Sequence, residues 1–285
     1  MTFNSQVTGG DLMSWLVSLL AALLILSLFP KRSFTQEWVV SSYPLYKIWK
    51  ELFPEEPIYL IQPPKGEFHF AEPRPKEWEK IKKAEFVIIV GSEPWAQRVY
   101  KITSPEKIFS LSRVGEKTQD PHLWFDLNRV ERLLKEFLES SSLKKRPLYP
   151  TYLKRTEIFL GKLKHLRENF QELQKCPMKE FYSLGHSVFY YLFKDTVIKE
   201  IPLIKGHHHG EISSKKLREL LTLAKEKKIA KIVLTEREFI KHKSFFEREG
   251  LEVLEAWSGD YEAPGTFLEL IENNLRVFKK LLQCP

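Results

Sequence analysis

The sequence predicts an α/β protein of two lobes with parallel-rich sheets joined by a long linking helix, preceded by an N-terminal hydrophobic helix. Three observations carry that reading. From Glu37 onward, short β-branched and aromatic runs alternate with amphipathic segments, the order in which a parallel sheet is wound with helices between its strands. The runs fall into two sets with one unbroken helical stretch between them. Before them, Leu12 to Phe29 is an 18-residue span without a charge, close to the length that crosses a bilayer.

Taken in order, residues 1–33 form a membrane anchor or signal segment. No Lys or Arg precedes the apolar span and no A-x-A pattern follows it, so an uncleaved anchor is expected over a cleaved signal peptide. A buried core helix is the competing reading, but a helix apolar on all sides needs a protein shell all round. Lys31 and Arg32 follow the span and, by the positive-inside rule, would keep the bulk of the chain cytoplasmic.

Residues 34–147 form the first lobe, with strands expected at Trp38 to Ser41, Ile58 to Ile61, Phe86 to Val90 and Ile108 to Leu111. Residues 148–175 form the linking helix. Phe159, Leu163, Leu166, Phe170 and Leu173 recur there at steps of four and three, one face of a helix about 40 Å long. A coiled-coil seam would need more heptads than these. A monomer is the expectation, though nothing in the sequence fixes the oligomeric state. Residues 176–285 form the second lobe, with strands at Glu180 to Leu184, Val197 to Ile201, Ala230 to Thr235 and Leu251 to Leu254, and helices at Ser214 to Glu226 and Thr266 to Leu282.

Composition narrows the function. With 43% hydrophobic and 29% charged residues in a chain of 285, a sizeable core is available. Cys176 and Cys284 cannot build a cysteine-rich zinc module, and spacing leaves their pairing open. Metal chemistry must therefore use histidine and carboxylates. The net charge is +8, yet Lys and Glu alternate through Lys76 to Lys83 without forming a basic stripe, which argues against a nucleic-acid partner.

Four histidine sites stand at or beside loops. His69 lies in a Pro-rich segment, Gly66 to Pro75, where the prolines pin the backbone and leave the ring available to a ligand; a solvated loop histidine is the plainer alternative. His122 lies between Asp120 and Asp126, either of which would take its second ring N–H and set the tautomer that metal binding requires, unless Asp126 is an ordinary helix N-cap. His186 follows a strand through Gly185 and opens a helix over Ser187 to Phe193, beyond a strand's carboxyl end where wound sheets collect ligands. The helix N-terminus would keep its ring neutral. The tract His207-His208-His209 reads equally as a metal-collecting or a plain polar loop. His165 and His242 read as solvated helix faces.

The joint order of these sites resembles a known family. His69-Phe70-Ala71-Glu72-Pro73-Arg74-Pro75, Asp120-Pro121-His122-Leu123-Trp124-Phe125-Asp126 and His186-Ser187-Val188-Phe189-Tyr190-Tyr191 are similar to the three ligand motifs of the zinc/manganese-type metal ABC transporter solute-binding proteins (cluster A-I, periplasmic). Tyr43-Pro44-Leu45-Tyr46, Gly91-Ser92-Glu93-Pro94-Trp95 and Leu268 to Leu275 resemble its early turn, its lobe-one turn and its closing helix. The resemblance implies His69, His122 and His186 as metal ligands. Where the family's aspartate ligand is expected, Leu254-Glu255-Ala256-Trp257-Ser258-Gly259-Asp260 places alanine; Asp260 is the preferred substitute, with Glu255 or water as alternatives. The family's lipid-bearing cysteine has no counterpart.

What the resemblance implies is a non-enzymatic, extracytoplasmic receptor that binds Zn²⁺, with Mn²⁺ the less suited ion, and delivers it to a membrane permease. It also sets aside the positive-inside reading of orientation. A zinc-dependent hydrolase, with Glu67 or Glu72 as base, and a degenerate receptor serving as adhesin or scaffold are the alternatives. Three imidazoles of ordinary pKa, about 6.5, imply that affinity falls between about pH 7 and 5.

Overall fold

The computed structural model describes residues 36–63, 68, 72–118, 120–204 and 213–285. The apolar span at 12–29, Glu67, His69 and the His207 to His209 tract lie outside the described residues. Among the described residues no helix is long and apolar enough to cross a membrane.

The β-branched runs become two parallel sheets. Strands β1 (Trp38–Val40), β2 (Ile58–Leu60), β3 (Phe86–Ile89) and β4 (Ile108–Ser110) lie in the order β2-β1-β3-β4. Strands β5 (Glu180–Leu184), β6 (Lys199–Pro202), β7 (Lys231–Leu234) and β8 (Glu252–Glu255) repeat that winding as β6-β5-β7-β8. β1 and β3 are buried at every residue, which is why they read as continuous apolar runs without polar alternation.

Parallel neighbours need crossovers. In the first sheet these are helices α1 (Tyr43–Leu52), α2 (Pro75–Lys83) and α3 (Ala96–Ile102). Helix α4 (Leu127–Leu138) precedes the long α5 (Tyr149–Glu172); α6 (Ser214–Glu226) joins β6 to β7, and α7 (Phe267–Leu281) closes the chain. In both sheets the chain steps outward from its first strand and returns on the other side with its third. The carboxyl ends of β1 and β3, and of β5 and β7, therefore flank a switch point, where wound sheets collect ligands.

Helix α5 has 24 residues, about 36 Å at 1.5 Å per residue. Its buried stripe is Tyr152, Thr156, Phe159, Leu163, Leu166 and Phe170, and it packs on α1, α4 and α7. The apolar members of this stripe belong to a core cluster that also holds Trp38 and Phe86 of the first sheet and Phe181 and Val233 of the second. Edge-to-face pairs tighten it: Phe137 of α4 meets Trp38, Trp49, Phe53 and Phe86 at centroid separations of 5.0–5.3 Å, geometry that adds to the area they bury. Cys176, just past α5, forms a disulfide with Cys284 at the chain end.

Three local expectations are corrected. The helix expected over Ser187 to Phe193 forms only at Tyr190–Phe193, because the Glu200 carboxylate on β6 takes the Ser187 hydroxyl (2.8 Å) and the Val188 and Phe189 amides (3.1 and 2.9 Å). The strand expected at Val197 to Ile201 runs from Lys199 to Pro202, after a turn in which the Thr196 hydroxyl accepts the Ile198 amide at 3.2 Å. His242 is partly buried, and its Nε2 is shielded from solvent with no hydrogen-bond partner among the described residues; His165 is exposed as expected.

Candidate metal centre

His122 is delivered by the loop that follows β4. Its backbone N–H and its Nδ1–H both donate to one Asp120 oxygen, at 2.7 and 2.6 Å. A carboxylate can only accept, so Nδ1 carries the hydrogen and Nε2 faces the site. Asp126 has the other role foreseen for it: it caps α4, accepting the Arg129 amide at 3.3 Å, and pairs with Arg129 and Lys194 at 3.1 and 2.6 Å.

His186 repeats the same device on the second sheet. Its backbone N–H and Nδ1–H donate to one oxygen of Glu236, at 2.7 and 2.6 Å. Glu236 follows β7 as His186 follows β5, and these strands are neighbours, so the switch point sets carboxylate beside ring. Gly185 permits the approach. Its φ is +138°, and a Cβ there would lie 2.4 Å from the Thr235 hydroxyl and 2.9 Å from Glu236. Hydrogen bonding to a carboxylate fixes the tautomer and orientation of this ring, and the helix that the sequence placed directly after it begins only at Tyr190.

Asp260 arrives on the turn after β8. Gly259 before it has φ +88°, and a Cβ there would lie 2.3 Å from Trp124 Nε1. With no Cβ, the turn lies against Trp124, whose Nε1 donates to the Ser258 carbonyl at 3.0 Å. The Asp260 carboxylate thereby stands 3.2–3.3 Å from His122 Nε2 and 3.6 Å from His186 Nε2. The two Nε2 atoms are 3.2 Å apart and the rings stack at 28°. All three residues are buried, and their donor atoms lie within 4.8 Å of one another.

Three carboxylates surround two imidazoles, so this interior calls for positive charge. Burial lowers the pKa of His122, but the charges of Asp260 and Asp120 outweigh it and push the imidazole up to about 10. In the ion-free protein that ring therefore holds a proton, with Nε2–H donated toward Asp260. A dication with open coordination positions can take the proton's place.

Of the four ligands assigned from sequence, His122, His186 and Asp260 come together; His69 is outside the described residues. Phe68, the residue before it, is buried with its amide donating to the Asp260 carbonyl at 3.3 Å and its ring edge-on to Trp124 at 4.9 Å. Glu255 turns outward to Lys243 at 2.9 Å, and Ala256 is buried. Glu236 was not anticipated, since nothing in its local sequence reveals that β7 pairs with β5.

A family model described as the zinc-uptake complex component A, periplasmic (ZnuA), matches residues 39–281. The chain belongs to the ZnuA family. The high-affinity zinc uptake system protein ZnuA of Bacillus subtilis is 22% identical over 277 residues, covering 86% of this chain and 86% of that protein. The zinc-binding lipoprotein AdcA of Streptococcus pneumoniae is 22% identical over 275 residues, or 85% of this chain. The chain spans only 55% of that lipoprotein's length. Among solved structures, the Zn(II)-bound ZnuA-like domain of S. pneumoniae AdcA superposes with a TM-score of 0.70 at 21% identity, covering 87% of this chain and 99% of that one. The metal-dependent lipoprotein YcdH of B. subtilis gives 0.71 at 21% identity, covering 86% and 98%. These likenesses establish a shared ZnuA-type fold.

Proposed function

We propose that the chain is an extracytoplasmic receptor that holds one Zn²⁺ through His69, His122, His186 and Asp260 and hands it to the membrane permease of an ABC transporter. The observation that carries this reading is the spacing of the donor atoms. Zn–N bonds of 2.0–2.1 Å place the ligands of a tetrahedral ion about 3.3 Å apart. The three separations among His122 Nε2, His186 Nε2 and the Asp260 carboxylate run from 3.2 to 3.6 Å. The zinc uptake named for the family model and for ZnuA of B. subtilis, and the zinc binding named for AdcA, agree with it.

Three nitrogens and one carboxylate favour zinc over manganese, which prefers more oxygen ligands. Four protein ligands leave no open position for an activated water, which favours binding over hydrolysis. In this reading residues 12–29 tether a monomeric body to the membrane. Metal titration with competing chelators tests the central claim. One tightly bound zinc per chain is expected, with a loss of affinity of about 100-fold or more in His69→Ala; chains that bind no stoichiometric zinc reject it.

A further inference from the structure

The turn that carries Asp260 leaves the second sheet, yet it is fastened to the first. Gln62, buried just past β2, donates from Nε2 to the Asp260 carbonyl at 2.7 Å and accepts the Tyr43 amide on Oε1 at 3.0 Å. One side chain thus spans from the start of α1 to the residue bearing the carboxylate. The Phe68 amide reaches the same carbonyl at 3.3 Å. Trp124 holds the carbonyl two residues earlier, that of Ser258, at 3.0 Å, and its ring stands edge-on to His122 with centroids 5.1 Å apart. Farther along, Lys47 Nζ donates to the Gly265 carbonyl at 2.7 Å. The link back to the closing helix is Asn274, whose side chain pairs with both the amide and the carbonyl of Trp257 at 2.8 Å.

His186 has a different support. It hangs from β5 and is braced by Glu236 after β7, both in the second sheet. We propose that Gln62 and Trp124 are positioning residues for Asp260, which make Asp260 and His122 a preset pair carried by the first sheet, against which His186 completes the site. This rests on the metal reading above and adds to it the origin of the carboxylate's placement. With its carbonyl held by two donors, Asp260 keeps only its side-chain torsions to search. Without them the turn regains the freedom of Gly259, and the carboxylate samples positions outside bonding range.

A double-mutant cycle tests this, with zinc affinity read by chelator competition. Gln62→Leu keeps the volume and removes both polar atoms; Trp124→Phe keeps a ring and removes the donor. Each is expected to weaken zinc binding about tenfold, as loss of a supporting hydrogen bond to a ligand does. In an Asp260→Ala background the same changes should cost less than about twofold, because a residue acting through Asp260 has nothing left to position. Equal losses in both backgrounds, or wild-type affinity in the single variants, would overturn the proposal. If Asp260→Ala itself binds zinc normally, the ligand assignment fails instead, so the two failures are distinct. Should Gln62→Leu not fold, the Trp124→Phe cycle decides by the same outcomes.

Discussion

His122 and His186, 64 residues apart in sequence, face each other through their Nε2 atoms at 3.2 Å. Each has already given its Nδ1–H and its backbone N–H to a single carboxylate oxygen. Two neutral rings held this way would aim lone pairs at one another. The arrangement is stable only with positive charge at the meeting point, a proton on His122 in the ion-free protein or a metal ion shared by both.

The supporting carboxylates should therefore matter almost as much as the rings. Asp120→Ala and Glu236→Ala are each expected to lower zinc affinity by about 10- to 100-fold, since such groups fix ring orientation and raise ligand basicity. Far-ultraviolet circular dichroism checks that the fold is retained, and chelator competition reads the affinity. A change smaller than twofold in both variants would show that the rings need no brace.

Gly185→Ala tests the close approach behind His186. The new Cβ would sit 2.4 Å from the Thr235 hydroxyl and 2.9 Å from Glu236, at a φ of +138° that side chains rarely adopt. Stability should fall by about 1–3 kcal/mol, the usual scale of such strain, and zinc affinity should fall with it as Glu236 is pushed aside. Denaturant unfolding of the ion-free variant gives the first quantity and metal titration the second; unchanged affinity would mean that Glu236 does not hold the ring.

These residues also mark how far the sequence was legible. Strand Glu180–Leu184 and helix Ser214–Glu226 were readable to the residue, because apolar spacing is a local signal. Of the helix expected over Ser187 to Phe193, the first three residues are not helical. The Val188 and Phe189 amides go to Glu200, on a strand whose adjacency to β5 is a tertiary fact. Burial raises the Glu200 carboxyl above its ordinary range while those amides and nearby hydroxyls pull it down. Asp120 was legible as a partner for His122 because it lies two residues away; Glu236, 50 residues from His186, was not. The same limit hid the Gln62 contact to Asp260, whose separation is 198 residues.

Removing the disulfide should affect stability and spare the site. Cys176 and Cys284 close a separation of 108 residues, for which the loop-entropy model gives a stabilisation of about 4.7 kcal/mol at most and measured cases about 2–4. The bond lies near the amino end of β5, whereas His186 follows its carboxyl end. The paired Cys176→Ser and Cys284→Ser change is thus expected to lower the unfolding midpoint while zinc affinity stays within about twofold. A large loss of affinity would mean that the chain end reaches the site.

The last prediction concerns pH, and the structure moves the window that the sequence suggested. An ordinary imidazole would place proton competition between about pH 7 and 5. In the folded chain burial works against the charged ring, but Asp260 and Asp120 prevail and push His122 up to about 10. A folded pKa above the unfolded value of about 6.5 contributes stability that is fully present below pH 6.5 and is lost as pH rises through about 10. The ion-free protein should accordingly lose stability across that interval. Zinc binding runs the other way, because the ion must displace this proton: affinity should climb toward tenfold per pH unit between about 7 and 9, with close to one proton released per ion. Titration calorimetry in buffers of different ionisation enthalpy counts the protons, and thermal unfolding at fixed free zinc follows the opposed slopes. If zinc bound with no proton release at pH 7.5, His122 would be neutral in the empty site and the charge balance argued for these five side chains would be wrong.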